Sequence, residues 1–327
     1  MVQYIIHRFF LMIITLFAVS IVSFVIIELP PGDYLDAYAA TLAASGDSVD
    51  EADLASLKRR FGLDLPMHRR YLKWIWDILH GDFGYSLSWN KPVSELIWER
   101  IGLTFLISFS TLLFTWVLGF FIGVYSAVHQ YSIGDYVFTA FSFIGLGTPN
   151  FLLALILLWV GFQYFGENLG GLFSREFQAV PWSWPKFVDL LKHLWVPLII
   201  LGTGGTAGMI RIMRANLLDE LGKPYVETGR SKGLTENKLI LKYPVRVALN
   251  PFISTAGWAL PNLINGATIV SIVLSLPTTG PLLLNALLTQ DMFLAASFIL
   301  ILSTLTVIGT LISDVLLALL DPRIRYN

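Results

Sequence analysis

With 55% of its 327 residues hydrophobic and only 14% charged, the chain falls well short of the roughly 25% charge of a soluble globular protein and reads as a polytopic membrane protein. Its 22 Lys/Arg and 23 Asp/Glu leave a net charge of −1, which gives no basis for a nucleic-acid partner. The absence of cysteine excludes disulfides, thiolate metal sites and a cysteine nucleophile.

Length is therefore counted in apolar spans of about 20 residues. The first run, Phe9 to Ile27, has 19 residues without a charge, and Glu28, Pro30, Pro31 and Gly32 follow it in place of a small-x-small cleavage site. Residues 1–29 thus read as a retained first span, with His7 and Arg8 favouring a cytoplasmic N-terminus. Residues 30–100 carry eight Lys/Arg against eleven Asp/Glu and read as extracytoplasmic. At about 70 residues this segment exceeds the roughly 60 over which the positive-inside tendency is reliable. Within it, Pro66 to Leu79 places Tyr71, Leu72, Trp74, Ile75, Ile78 and Leu79 at helical spacing beside His68, Arg69, Arg70, Lys73 and Asp77. Such an amphipathic helix suits the membrane interface, and packing within a small extracellular domain is the alternative.

Residues 101–320 read as the main membrane domain. Ile101 to Val128 and Tyr136 to Gly166 are free of Asp, Glu, Lys and Arg, and the second is interrupted at Gly147, Thr148 and Pro149. They give two spans joined by a turn around His129 to Asp135, the second kinked at the proline. A loop at 167–192 leads to Leu194–Ile210, a shorter, glycine-rich and weaker span. The 44 residues from Val247 to Gln290 carry no formal charge but include Pro251, Pro261, Pro277 and Pro281. They divide into a span near 251–272 and a re-entrant or surface segment near 273–290. The last span covers about 292–317.

The fold class is therefore an all-α integral membrane protein of about six transmembrane helices. Six spans put both ends on one side, and Arg323 and Arg325 in the tail 321–327 agree with His7 and Arg8 that this side is cytoplasmic. The polar stretch 211–250, between the fourth and fifth spans, is then cytoplasmic too. Gly119-xxx-Gly123 and Gly204-xxx-Gly208 either mark close helix contacts or are incidental.

Little in the chain points to an enzyme. No GxxxxGK[ST] loop occurs, since Gly222-Lys223 is followed by Pro224, so any ATP hydrolysis falls to a partner. His7, His68, His80, His129 and His193 are scattered without metal-ligand spacing, and no serine lies in a GxSxG elbow. Asp314 is the one ionisable group well inside an apolar run. A structural partner such as Arg323 or a backbone donor is preferred there over a proton relay.

Between Arg211 and Arg246 the chain has eight Lys/Arg and four Asp/Glu. Pro224 suits a first helical turn, Glu227 complements its dipole, and Gly233 suits a left-handed stop. Thr235 is placed to cap a second helix with Glu236 just inside, and Pro244 ends it. The expectation is helix, bend, helix: a lever tied to the membrane, with an ordinary solvated loop as the alternative.

These residues carry a resemblance. Tyr225-Val226-Glu227-Thr228-Gly229-Arg230-Ser231-Lys232-Gly233-Leu234 resembles the EAA loop of permease subunits of binding-protein-dependent ABC importers, in the form typical of the dipeptide/oligopeptide/nickel branch. Arg246, Ala248, Leu249 and Pro251 resemble its continuation. Pro31-Gly32-Asp33, Phe61-Gly62-Leu63-Asp64 with Pro66, and Gly81-Asp82-Phe83-Gly84-Tyr85-Ser86 resemble that branch's outer segment. Asp321-Pro322-Arg323-Ile324-Arg325-Tyr326 resembles its C-terminus, with Asp314 as the acidic residue of the last span.

The resemblance implies an inner-membrane subunit whose helix before Gly233 docks on a cytoplasmic ATPase. It implies two such ATPase subunits, which bind ATP and Mg, a second similar permease, and an extracytoplasmic solute-binding protein. It also implies a translocation path lined near Ser271, Pro277, Thr278 and Thr279. This segment departs from the branch's usual Val-Glu-x-x-Phe-x-x-Pro-Gly-x-Gly, lacking both the acidic residue and the glycine after proline. Peptide is the expected solute and oligosaccharide the runner-up. A stand-alone ion- or proton-coupled carrier and a membrane scaffold without transport are the alternatives from other classes.

Overall fold

The computed structural model describes residues 2–29, 35, 39, 56, 58, 59, 62, 64–254 and 267–320, the side chains of 2–5, 253–254, 312–314 and 316–320 excepted. Among them four helices are long and apolar enough to cross a membrane: Ile6–Glu28, Val93–Val128, Trp184–Leu221 and Met292–Leu311. A fifth candidate is a bent pair of helices. The span expected near 251–272 has residues 255–266 outside the described set, as do the Pro31-Gly32-Asp33 motif, the tail 321–327 and the side chain of Asp314. The chain divides into two compact units.

The first unit holds residues 2–103 and 278–308. It contains α1 (Val2–Glu28), α2 (Met67–Leu79), a two-stranded antiparallel hairpin of β1 (Tyr85–Ser86) and β2 (Lys91–Pro92), and the start of α3 (Val93–Val128). Its apolar centre is Val93, Ile97, Leu282, Leu294 and Phe298, all buried. On α2, Tyr71 packs edge-on and Trp74 tilted against Phe24 of α1 at ring distances of 5.4 and 5.5 Å, the Tyr71 hydroxyl is 2.9 Å from Ser20 Oγ, and Arg70 pairs with Glu28 at 2.5 Å. Leu72, Trp76 and Leu79, by contrast, stay exposed. The amphipathic helix is therefore docked on a long apolar helix by a narrow aromatic seam. Ile75 and Ile78 pack beside that seam, and Leu72, Trp76 and Leu79 are left on the open face, as an interface-lying helix requires.

The hairpin is fixed from below. Gly81 and Gly84 take φ of +85° and +82°, the Gly84 N–H donates to Asp82 Oδ1 (2.8 Å), and Ser297 Oγ donates to the Phe83 carbonyl (3.1 Å). Asp291, with no exposed surface, accepts from Ser86 Oγ at 2.6 Å, Ser88 Oγ at 2.9 Å and the Ser88 N–H at 3.1 Å. Its other oxygen takes the Leu294 N–H (3.3 Å), capping the final helix, Met292–Leu320.

The second unit holds Thr104–Pro277 and the chain from Gly309. After α3 come α4 (Ile133–Gly147), α5 (Asn150–Val160) closed by one wider turn to Phe165, and α6 (Trp184–Leu221). Where a kinked span was expected at Pro149, α4 and α5 meet at 104°. Pro149 cannot donate to the α4 ladder, and the chain leaves Thr148 in extended backbone before α5 begins.

The weak span expected at 194–210 is likewise corrected: α6 runs 38 residues, about 57 Å at 1.5 Å per residue, nearly twice a hydrocarbon core. Its charged first turns are satisfied locally. Buried Lys186 donates to the Val180 carbonyl (2.6 Å) and lies over the Phe173 and Trp182 rings, and Asp189 accepts from Ser174 Oγ and N–H at 2.6 and 2.8 Å. At the other end Arg211 to Leu221, expected as loop, continues the helix.

The glycine patterns separate. A Cβ on Gly119 or Gly123 would collide with Met209 or Met213 of α6, so this pair does mark a close contact between α3 and α6. Gly208 has open space and Gly204 only ordinary contacts. The close approaches on α6 belong instead to Gly202, against Phe114, and Gly205, against Thr115.

Candidate functional site

The stretch after α6 is built as a stepped arm. α6 stops at Gly222, and Pro224 opens α7 (Pro224–Ser231), where its missing N–H would be unpaired in any case. The Tyr225 hydroxyl reaches back to Glu220 Oε2 at 2.6 Å, tying the step to the end of α6; burial, and then this bond, push its phenol up to about 12. Thr228 and Ser231 hydroxyls donate to the Pro224 and Glu227 carbonyls one turn back, so both are satisfied within the short helix.

α7 ends as the spacing predicts. Gly233 takes φ +76°, its N–H donates to the Arg230 carbonyl (2.9 Å), and the Leu234 N–H donates to the Gly229 carbonyl (3.3 Å). This is the Schellman pairing, which satisfies two otherwise orphaned carbonyls. α8 (Glu236–Lys242) and α9 (Pro244–Ser254) follow. Thr235 occupies the expected capping position but its hydroxyl caps nothing. The structure substitutes an ion pair: Arg230 Nε donates to Glu236 Oε1 at 2.7 Å, holding Glu236 below its ordinary carboxylate range and Arg230 above its own.

Only two residues of α7 are buried, Val226 and Gly229, three apart on one face. A Cβ at Gly229 would run into Leu239 of α8, itself fully buried, so glycine here sets how closely α7 and α8 pack. Behind them Met209, Met213, Leu217, Ile240, Val245 and Phe252 form one apolar cluster joining α6, α8 and α9. Tyr225, Glu227, Thr228, Arg230, Ser231, Lys232 and Gly233 are exposed and Leu234 is half-buried. The arm thus stands on a solid base and presents an exposed polar, mixed-charge ridge, on which Tyr225 and Arg230 pair only with Glu220 and Glu236 of the arm's own ends. A polar ridge held this firmly is suited to meeting a second protein.

The residues expected along a solute path fall differently. Ser271 and Pro277 belong to the second unit, Thr278 and Thr279 to the first. Ser271, Thr278 and Thr279 are 3%, 2% and 3% exposed, and Pro277 is half-buried. The chain turns at Leu274–Ser275 and enters a short apolar helix, Thr279–Leu288, in the segment expected to be re-entrant or superficial.

Two further carboxylates, Asp291 and Asp135, are held in the fold. Asp291 is the first charge after the 44 uncharged residues and precedes an apolar run, the signature of an N-cap. Asp135 stands between two charge-free runs of the sequence and in the first turn of α4. Its oxygens accept from Arg214 Nε and Nη2, both at 2.8 Å, a fork that only the folded chain brings together.

Comparison with known proteins gives consistent matches. The family model described as "Binding-protein-dependent transport system inner membrane component" matches residues 119–326, and that of the "Binding-prot-dependent transport system membrane comp, N-term" matches residues 1–108. The chain is 35% identical over 327 residues to the oligopeptide transport system permease protein AppB of Bacillus subtilis, covering 100% of each. It is 34% identical over 333 residues to a putative peptide permease protein of Brucella ovis, and 28% over 343 residues to the dipeptide transport system permease protein DppB of Escherichia coli K12, again covering 100% of each chain.

Proposed function

The chain belongs to the family of inner-membrane components of binding-protein-dependent transport systems, and from that premise we propose that it is the permease subunit of an ATP-driven peptide importer whose α7 docks on a cytoplasmic ATPase. The exposed ridge of α7 on its buried base is the observation that carries this reading. ATP binding closes the ATPase pair, the ridge moves with it, and α6, continuous from membrane to arm, passes the displacement to the spans. The chain itself performs no chemistry; ATP and Mg stay on the partner. The full assembly comprises a second homologous permease, two ATPase subunits and an extracytoplasmic solute-binding protein, with both termini of this chain in the cytoplasm.

Peptide is preferred over oligosaccharide as solute. The relatives are named for peptides. The hydroxyls that favoured a sugar, Ser271, Thr278 and Thr279, are all buried, and a buried hydroxyl meets solute only after the helices part. Reconstitution tests the reading. The purified chain in liposomes is expected to transport nothing alone, and the complete complex to take up a peptide only with ATP inside and binding protein outside. Uptake by the chain alone would establish a secondary carrier instead, and uptake of an oligosaccharide but no peptide would overturn the solute assignment.

A further inference from the structure

We propose that Asp135 and Arg214 are positioning residues that clamp the first limb of the broken span, α4, to the shaft of α6, so that α4 and the docking arm travel as one body during transport. The proposal rests on the transporter reading above and adds which part of the membrane domain follows the arm.

Arg214 lies about two turns before the end of α6 at Leu221. Its guanidinium donates in parallel to both oxygens of Asp135 at 2.8 Å, a planar fork that fixes angle as well as distance. Asp135 is 2% exposed and is held from its own side too. Its Oδ2 accepts the Tyr131 N–H (3.0 Å), its Oδ1 the Thr139 hydroxyl (3.4 Å), and its N–H donates to Ser132 Oγ (3.2 Å). The carboxylate cannot swing after a displaced Arg214. Either α4 follows α6 or the pair breaks.

The contact continues along both helices. The Arg211 guanidinium lies over the Phe143 ring at 5.4 Å, and a Cβ on Gly145 would press on Thr203 at 3.0 Å and touch Ala207 at 3.4 Å. From Asp135 to Gly145 this seam is about 15 Å long. Two separated contacts prevent pivoting where one would act as a hinge. A largely buried ion pair adds little net stability over well-packed apolar residues, and its best-attested use is registry, the role assigned here.

The chain has no cysteine, so spin labels can be placed on cysteines introduced at Tyr136 and Ala215, both exposed. In the assembled complex the label distance is expected to be the same without nucleotide and with ATP trapped. Asp135→Asn is expected to broaden that distance and lower solute taken up per ATP hydrolysed about tenfold, with the swap Asp135→Arg/Arg214→Asp recovering part of the loss. A wild-type distance that changes between the two states, or an Asp135→Asn complex with the wild-type uptake ratio, overturns the proposal. If Asp135→Asn fails to assemble, the wild-type distances decide alone. A wild-type chain that recruits no ATPase subunit removes the transporter reading, and this inference with it.

Discussion

Gly233→Val is expected to leave the chain inserted and the complex assembled while lowering uptake about tenfold at near-normal ATP hydrolysis. The backbone at 233 has φ +76°, and a left-handed conformation costs an L-residue roughly 1–2 kcal/mol, with β-branched side chains the worst placed. No atom beyond the adjoining residues lies within 4 Å of the Cβ position, so the cost of valine falls chiefly on the backbone. A penalty of about 1.4 kcal/mol lowers the ratio of bent to unbent arm about tenfold. Asparagine tolerates this conformation, so Gly233→Asn is the control and is expected to retain most uptake. Equal uptake by the valine and asparagine variants would show that the left-handed bend is not what the arm depends on.

Asp291→Ala is expected to loosen the first unit without changing the uptake ratio of whatever complex survives. The carboxylate is wholly buried, and its removal strands Ser86 Oγ, Ser88 Oγ and the Ser88 N–H, each having donated to it. Ser86 has no exposed surface through which water could take over. At about 1–3 kcal/mol for each buried polar group left unpaired, partly offset by no longer burying a charge, the net loss is on the order of 3 kcal/mol. A thermal melt in detergent should fall by roughly 5–10 °C, with Asp291→Asn between the two because its amide oxygen still accepts. A melt unchanged by the alanine variant would mean that the hairpin is held by its apolar contacts alone.

The arm was the most legible part of the molecule because its signals are local. Proline at a first turn and glycine at a stop act through their own backbone, and both stand where spacing predicts. Thr235 misled because a capping residue needs a rotamer as well as a position, and the Arg230–Glu236 pair supplied the order instead. Hydropathy shortens α6 at both ends for one reason: it treats Lys186, Asp189 and Arg214 as solvated, whereas Lys186 and Asp189 find partners in the loop just before the helix and Arg214 finds Asp135 far back in the chain. Proline at 149 announced a break but not its size, since 104° depends on how α5 packs and not on the ring itself. The same holds for the glycines. Only the facing residue, Met209 or Met213 at Gly119 and Gly123, separates a real approach from a chance spacing.

The central claim, that the ridge of α7 is gripped by a cytoplasmic ATPase, is tested most directly by a single cysteine at Ser231, exposed on that ridge in a chain that has no other cysteine. A short thiol cross-linker in membranes holding the full complex is predicted to join this position to the ATPase subunit, with the yield changing when ATP is trapped. No cross-link to that subunit under any nucleotide condition, or labelling of the cysteine from outside intact cells by a membrane-impermeant reagent, would contradict it.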